Sequence, residues 1–337
     1  MPDQKLDDIH HCFFLQAAEN LGLSGEILDE GNGMFRIANR EQSALGCHGV
    51  LKLNSKLKKA FANHKFLTIQ LLARSGIPVP KSELFDLAAE AAEVLAATRN
   101  TYPLVAKPIH GTSGDGVATN IMSEAELAAA ITVIRDLVAR NRRQPPDKQF
   151  ILENHVTGED YRILMYRGKI MDVVHRTPAC VVGDGRSTVR ELIAEKNVYR
   201  DNYHPSRALI MFDSDLTEFL AIRAKSLETI PAADEKVILR RVCNETKGGE
   251  VHRLSLDQIA PDNLRLFARI EEVMGLEMCG IDFITSDISE SYKDTVCCVN
   301  EVNPTPGIQP HCWNDPQPFK LDVAEAVLER CFGLTDS

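Results

Sequence analysis

The sequence predicts a mixed α/β (α+β) fold built from two or three packed subdomains. The chain has 337 residues, of which 44% are hydrophobic, and this is enough to bury more than one core. Helical apolar patterns alternate with short strand-like runs along most of its length. The helical pattern of residues 7–22 is followed by the strands Glu26–Leu28 and Met34–Ile37, joined by a turn at 30–33. This first segment predicts a small N-terminal α/β unit.

The rest of the chain predicts further alternation of helices and strands. A helix that opens at Asn63 and runs through Ala73 is stopped by Pro78 and Pro80, because proline cannot continue a helix. The apolar residues of the stretch 200–234 follow neither a helical nor a strand period, so this stretch is predicted to be irregular. The other predicted elements are helices at about 86–97, 124–141, 188–195, 261–274 and 319–331, and strands at 103–107, 150–153, 161–166, 169–175 and 236–240.

Composition restricts the classes of partner and compartment. The formal net charge of −10 argues against nucleic acid and against an anionic membrane as partners. No apolar stretch approaches the roughly 20 residues that cross a bilayer, and the first residues lack the basic segment of a secretion signal. The nine cysteines follow no regular CxxC spacing and are expected to be reduced thiols. We therefore expect a cytoplasmic protein, and the sequence leaves open whether it forms a homo-oligomer.

Three oxygen-bearing side chains near the C-terminus predict a metal site. Asp282 lies in the strand-like run 280–284, whereas Glu301 and Asn303 lie two apart in a second run before a Pro-Thr-Pro-Gly turn. Side chains two apart on a strand share a face, so Glu301 and Asn303 can point at one object. Two carboxylates and an amide suit Mg²⁺ and leave positions for phosphate oxygens. The alternative is a hairpin whose acids are only solvated.

A lysine followed by glycines predicts a phosphate-binding loop. Lys107 ends the predicted strand 103–107 and precedes Gly111, Gly114 and Gly116. Glycines let backbone N–H groups close on an anion, and a strand-end lysine adds a point charge while contributing little to core burial. A glycine-rich turn is by itself more often a plain hairpin. The lysine, the loop and the distant metal site together favour nucleotide binding.

Ordered motifs along the chain give it a resemblance to a known family. They are His64-Lys65, Gly76–Pro80, Val105–Pro108, Glu153 with Tyr161-Arg162, Val182–Gly185, Leu239-Arg240 with Asn244 and Gly248-Gly249, Gly280–Asp282 and Glu301–Gly307. With these motifs the sequence resembles the ATP-grasp superfamily of carboxylate–amine ligases. The resemblance is closest to the ATP-grasp module of cyanophycin synthetase and related amino-acid ligases.

The resemblance implies an ATP-grasp fold in three parts. The N-terminal α/β subdomain would comprise residues 1–80, the small lid subdomain 81–157, and the C-terminal antiparallel-sheet catalytic subdomain 158–337. The nucleotide would lie between the last two parts.

The resemblance also implies nucleotide-binding roles. Lys65 and Lys107 would contact the phosphates of ATP, and Glu153 would accept a hydrogen bond from the adenine amino group. Asp160 would hold the ribose. The loop closing over the phosphates would contain His110, Gly111, Ser113, Gly114 and Gly116, and the hinge against the adenine ring would be the backbone of Asn154, His155 and Val156.

Metal binding and catalysis are implied for a second group of residues. The oxygen ligands Asp282, Glu301 and Asn303 would bind Mg²⁺ (or Mn²⁺), with Glu301 bridging two ions. The γ-phosphate and the acyl-phosphate intermediate would be faced by Arg240, together with Arg162 or Arg176, because guanidinium groups suit developing phosphate charge.

The reaction implied by the resemblance is ATP-dependent joining of a carboxylate, from an amino acid or short peptide, to an amine through an acyl phosphate. Two alternatives stay open: a phosphotransferase of kinase type, and a non-catalytic ATP-binding regulatory subunit. The cyanophycin enzyme carries a second ATPase module, whereas this chain ends soon after Trp313, so a short, discrete amide product is expected. The segment 244–249, with Glu245 and Lys247, departs from the neutral loop of that enzyme and leaves the substrate pair undetermined.

Overall fold

The structure is a computed structural model that describes residues 9–111, 114–140, 147–203, 209–312 and 320–334. Its helices are α1 (Ile9–Asn20), α2 (Lys56–Ala62), α3 (Lys65–Arg74), α4 (Ala91–Ala97), α5 (Glu124–Arg140), α6 (Val189–Tyr203), α7 (Ser214–Ile222), α8 (Pro261–Met274) and α9 (Asp322–Phe332). Its strands are β1 (Ser24–Asp29), β2 (Met34–Ala38), β3 (Ser43–Cys47), β4 (Val50–Leu51), β5 (Ser82–Asp86), β6 (Leu104–Pro108), β7 (Ala118–Ile121), β8 (Gln149–Asn154), β9 (Glu159–Tyr166), β10 (Lys169–Thr177), β11 (Cys180–Val182), β12 (Lys236–Ile238), β13 (Glu250–Leu254), β14 (Met278–Thr285) and β15 (Cys297–Asn303).

The described strands form antiparallel sheets. The N-terminal sheet has the order β1-β2-β3-β4, and a second four-stranded sheet has the order β5-β8-β6-β7. The largest sheet has the order β13-β10-β9-β14-β15, and β11 pairs with β12 in a two-stranded ribbon. Helices and antiparallel sheets therefore coexist, which confirms the predicted α/β (α+β) class with its N-terminal α/β unit. The subdomain boundaries at 80 and 157 stay predictions.

The largest sheet is covered differently on its two faces. On one face, Ile163, Ile281 and Phe283 are buried against α8, where the rings of Phe283 and Phe267 meet edge to face with centroids 5.3 Å apart. On the other face, the end of β9 that carries Leu164 packs into a core formed by α1, α9 and the N-terminal sheet. Asp160 and Arg162, which lie four and two residues before Leu164 on β9, point to this same second face, because side chains alternate along a strand.

Local sequence signals account for several elements. Pro261 starts α8 at its first turn, and Gly275 ends it in a left-handed conformation with φ of 60°, so the predicted bounds 261–274 are confirmed. Thr188 and Glu191 exchange the hydrogen bonds of the predicted capping box at the start of α6. The turn between β9 and β10 is the predicted hairpin at Arg167 and Gly168, both with positive φ.

Two predicted segments are wrong in detail. The helix predicted at 86–97 begins only at Ala91, because a capping box between Glu90 and Glu93 starts it there. Residues 87–90 form a turn, and Asp86 is the last residue of β5, which pairs with β8 from Ser82 to Asp86. The stretch 200–234 is not wholly irregular, since it contains α7, which is capped by the side chain of Asp213. In the part of the chain that is described, no helix is long and apolar enough to cross a membrane.

Candidate active site

Strand register places charged side chains in a row on the second face of the largest sheet. Asp282 of β14 lies directly opposite Arg162 of β9 on one side and Glu301 of β15 on the other. Arg176 of β10 lies opposite Asp160 of β9. Directly opposite residues of antiparallel strands point to the same face, and Asp160 and Arg162 are two apart on one strand. The sheet therefore brings together five residues that the sequence could only name separately.

The row is held by short ion pairs. Arg162 Nε lies 3.0 Å from Asp282 Oδ1, and Arg176 Nη2 lies 3.2 Å from the same oxygen. Arg176 also donates to Asp160 through Nε at 3.0 Å and Nη2 at 2.6 Å. Asp282 is 6% exposed, so water screens these contacts only weakly. Asp160, predicted to hold a ribose, lies in this cluster, and its ribose role stays a prediction.

Burial and neighbouring charge set the protonation of the row. Burial raises the pKa of Asp160, and the Asp282 carboxylate adds to this effect, whereas Arg176 opposes it. Burial by itself would lower the pKa of Arg176, but Asp282 and Asp160 together raise it, so its guanidinium stays charged. The thiol of Cys243 lies near this pair, and burial followed by the charge of Asp160 raises its pKa to about 12.

The predicted metal ligands lie at the β15 end of the row. Glu301 Oε1 accepts a hydrogen bond from Lys65 Nζ at 2.6 Å, and Lys65 Nζ also donates to Gly111 O at 2.8 Å. Asn303 lies opposite Gly280, two residues from Asp282 on the neighbouring strand. Among the described residues, no group of three or more His, Cys, Asp or Glu side chains could hold a metal. Two carboxylates and an amide fit Mg²⁺ only if phosphate oxygens complete its coordination.

Lys107 and Glu153 form a buried ion pair on the adjoining strands β6 and β8. Lys107 Nζ lies 2.7 Å from Glu153 Oε2, and the two residues are 4% and 1% exposed. Ser82 Oγ on β5 donates to the other oxygen of Glu153 at 2.6 Å. The expectation that Lys107 contributes little to core burial is therefore wrong, because β8 carries its partner into the same interior. Ser82 had no sequence signal and is found only through the pairing of β5 with β8.

The predicted adenine hinge follows β8 directly. The backbone N–H of Asn154 donates to Lys81 O at 3.3 Å, and that of His155 donates to Pro103 O at 2.9 Å. Burial lowers the pKa of His155. Val156 is half-buried. Two of the three hinge N–H groups thus already donate hydrogen bonds to backbone carbonyls of this chain. The role of the hinge toward adenine stays a prediction.

The glycine-rich loop lies next to Lys65. His110 pairs through Nδ1 with Asp147 Oδ2 at 2.9 Å. Gly111, Gly114 and Gly116 have positive φ values of 153°, 76° and 71°, a backbone conformation that other residues rarely adopt. Ser113 lies outside the described residues. The contact between Lys65 and Gly111 connects this loop to Glu301 and hence to the predicted metal site.

Arg240 is held by a different partner from the other two arginines. It is 5% exposed, and its Nη2 donates to Asp213 Oδ2 and to Met211 O, both at 2.8 Å. Asp213 is the residue that caps α7, so the segment predicted to be irregular supplies the carboxylate that orients Arg240. The described contacts of Arg240 do not include Asp282, and its catalytic role stays a prediction.

A cavity of about 410 Å³ lies apart from this row. Its polar lining includes Glu250 and Lys196, which form an ion pair, and His252. His252 lies opposite His175, the neighbour of Arg176 in sequence, and therefore faces the other side of the sheet. The cavity is thus separate from the candidate active site.

Known proteins resemble the chain in both sequence and structure. Residues 62–191 match a family described as a RimK-like ATP-grasp domain. Cyanophycin synthetase of Nostoc sp. (strain PCC 7120 / SAG 25.82 / UTEX 2576) is 32% identical over 272 residues, covering 80% of this chain and 29% of that protein. The glutathione biosynthesis bifunctional protein GshAB of Streptococcus mutans serotype c (strain ATCC 700610 / UA159) is 30% identical over 311 residues, covering 88% and 39%.

A solved structure extends the likeness to nearly the whole chain. The bifunctional glutathione synthetase from Pasteurella multocida matches 97% of this chain and 45% of its own, with a TM-score of 0.65 and 23% identity. The chain spans less than half the length of each of these relatives. The fold and the family resemblance predicted from the sequence are confirmed. Over residues 62–191 the chain therefore resembles a RimK-like ATP-grasp domain, and its fold resembles that of the glutathione synthetase structure.

Proposed function

We propose that this chain is an ATP-dependent ligase that activates a carboxylate as an acyl phosphate and joins it to an amine, with release of ADP and phosphate. The observation that carries the proposal is the row formed by half-buried Arg162 and Arg176 and buried Asp282, beside the contact of Lys65 with Glu301. Relatives named for the synthesis of cyanophycin and glutathione support an amino acid or short peptide as substrate.

The chemistry requires positive charge at fixed positions. Transfer of the γ-phosphoryl group to a carboxylate brings two anions together, so catalysis consists chiefly of positioning and charge neutralisation. Arg162, Arg176, Lys65 and Lys107 are the cations that would supply this charge, and each is now paired with a carboxylate that a phosphate oxygen would replace. Attack of the amine on the acyl phosphate then forms the C–N bond and breaks the C–O bond to phosphate.

Asp282, Glu301 and Asn303 would hold Mg²⁺, which when bound supplies charge that neutralises the transferring phosphoryl group. In the structure, Glu301 is paired with Lys65, and Asp282 is paired with Arg162 and Arg176. Binding of Mg²⁺ to these carboxylates would therefore replace those contacts and release the three cations toward the phosphates.

The test is a screen of amino acid pairs with ATP and Mg²⁺, followed by phosphate release and product mass. A ligase releases phosphate only when both substrates are present, and its product has the mass of the two substrates minus water. Glu301→Gln should abolish turnover, whereas Glu277→Gln, the same change at a half-buried glutamate that is also ion-paired, with Arg167, should leave it intact. ADP formation with a stable phosphorylated product would support the kinase alternative and refute the ligase.

A further inference from the structure

One segment of this acidic chain carries only positive charge. Between Glu41 and Glu83 the sequence contains no Asp or Glu, whereas it contains six Lys and one Arg. The chain as a whole has a formal net charge of −10, so the segment has the opposite sign to the rest of the protein. The segment includes helices α2 and α3, and α3 carries Lys65, which contacts Glu301. The other cations of the segment have no role in the proposed function.

Helix α2 displays the densest part of this charge. Lys56, Lys58 and Lys59 lie in the helix, and Lys52 lies four residues before it. Within the part of the chain that the structure describes, none of these four lysines has an ion pair. Lys59 is half-buried, and the other three are exposed. Unpaired cations this close in sequence repel one another, and an anionic partner would relieve that repulsion.

The same helix exposes two large apolar side chains. Leu57 and Phe61 are 80% and 41% exposed, and no large apolar side chain among the described residues is more exposed than Leu57. The two are four residues apart, so they share one face of the helix, with Lys56 and Lys58 on either side of it. Only Ala62 of this seven-residue helix is buried. A helix this short is not stable by itself, so a partner that covers the apolar face would also stabilise the helix.

The size of this face and the charge around it favour a short peptide as the partner. Seven helical residues span roughly 10 Å, which is the length of about three extended peptide residues. A nucleic acid or a bilayer extends well beyond such a face and would meet the negative charge of the rest of the protein. A short acidic peptide can contact the lysines without that repulsion.

We propose that the face of α2 formed by Lys56, Leu57, Lys58 and Phe61 is a docking surface for a short acidic peptide segment that contains an apolar residue. Carboxylates of the segment pair with the two lysines, and its apolar side chain packs on Leu57 and Phe61. This binding goes beyond the proposed function and requires neither ATP nor Mg²⁺.

The test uses a synthetic probe and the full chain. The probe is a fluorescein-labelled peptide of glutamates with one leucine at its centre, and its neutral counterpart has glutamine in place of every glutamate. By fluorescence anisotropy at about 50 mM salt, the acidic peptide should bind at least tenfold more tightly than the neutral one, and about 300 mM salt should remove most of this difference. Equal affinity for the two peptides, or no binding of the acidic peptide, would overturn the proposal.

Two double variants separate the contributions of charge and apolar contact. Lys56→Gln/Lys58→Gln should weaken binding of the acidic peptide about tenfold at low salt and reduce its salt dependence. Leu57→Ser/Phe61→Ser should weaken binding about tenfold at both salt concentrations. These side chains are exposed, so both variants should keep the wild-type circular dichroism spectrum.

The matched control makes the same change of charge elsewhere. Lys169→Gln/Lys236→Gln alters two exposed lysines outside the segment and should weaken binding less than twofold. A loss equal to that of Lys56→Gln/Lys58→Gln would overturn the proposal, because binding would then depend only on the total charge of the protein.

Hydrogen exchange on the unaltered chain locates the contact. The amides of α2 should exchange more slowly when the acidic peptide is saturating, because a helix with a single buried residue otherwise opens readily. Unchanged exchange in α2 would overturn the proposal.

Other partners are tested with vesicles of phosphatidylserine and phosphatidylcholine in equal parts and with oligouridylate. Binding of either that is lost in Lys56→Gln/Lys58→Gln, together with no binding of the acidic peptide, would overturn the proposal and assign the face to a membrane or to RNA.

Discussion

The Lys107→Ala substitution should destabilise the fold as well as weaken nucleotide binding. Lys107 and Glu153 are 4% and 1% exposed, and their charged atoms are 2.7 Å apart. At an effective dielectric constant of about 20, charges at this distance attract by about 6 kcal/mol, most of which offsets the cost of taking both groups out of water. Removing only the lysine leaves Glu153 buried with Ser82 as its remaining partner, which should cost about 3–5 kcal/mol.

The assay is urea unfolding followed by far-UV circular dichroism, with ATP affinity measured separately by calorimetry. The double variant Lys107→Met/Glu153→Gln removes both charges and keeps an acceptor for Ser82, so it should recover at least half of the lost stability but none of the ATP affinity. The control is Lys148→Ala, at an exposed lysine directly before β8, the strand that carries Glu153. This variant should change neither the stability nor the ATP affinity.

Two results would refute this reasoning. A loss below about 1 kcal/mol in Lys107→Ala would mean that the pair behaves like one at the surface. A double variant no more stable than Lys107→Ala would mean that the uncompensated carboxylate is not the cause. Unchanged ATP affinity in Lys107→Ala would remove the phosphate-binding role and leave a purely structural ion pair.

Three further predictions follow from the same structure. Glu301→Gln should abolish the Mg²⁺-dependent turnover while stability stays within about 1 kcal/mol, because the residue is partly exposed; full turnover would refute the metal assignment. Burial raises the pKa of Glu271 to about 7, so its contribution to stability is full below about pH 4.5 and is lost as pH rises through about 7. Glu271→Gln should therefore gain more stability at pH 8 than at pH 5, up to about 3 kcal/mol in urea unfolding, and an equal effect at both pH values would contradict this. Gly158→Ala should destabilise by about 1–3 kcal/mol, because the added Cβ would lie 2.7 Å from the backbone of Thr285; a melting temperature equal to that of the exposed control Thr157→Ala would contradict this.

Local signals determined many of the elements. Helix α8 is bounded by a proline at its start and a glycine at its end, and both signals act within one helical turn. The hairpin at Arg167 and Gly168 needs residues that tolerate positive φ, and its two strands were predicted from their apolar runs. The sequence also determined the residue types of the candidate site, because Asp282, Glu301 and Lys107 stand in motifs with chemical meaning.

Other elements could not be found locally. Strand β5 is short and shows no regular burial pattern, so only its pairing with β8 defines it. Helix α7 is a short helix in a stretch whose hydrophobic period is otherwise broken, and the pairing of its capping residue Asp213 with Arg240 joins residues 27 positions apart.

The partners within the site were decided by tertiary structure alone. Asp282 meets Arg162 because residues 120 positions apart share a register on adjacent strands. Glu153 meets Lys107 and Ser82 in the same way. The sequence by itself thus determined the class of fold and the chemistry available to it. Which charged side chains lie together, and which of them pair, depends on strand register, since long-range pairing leaves no periodic signal along the chain.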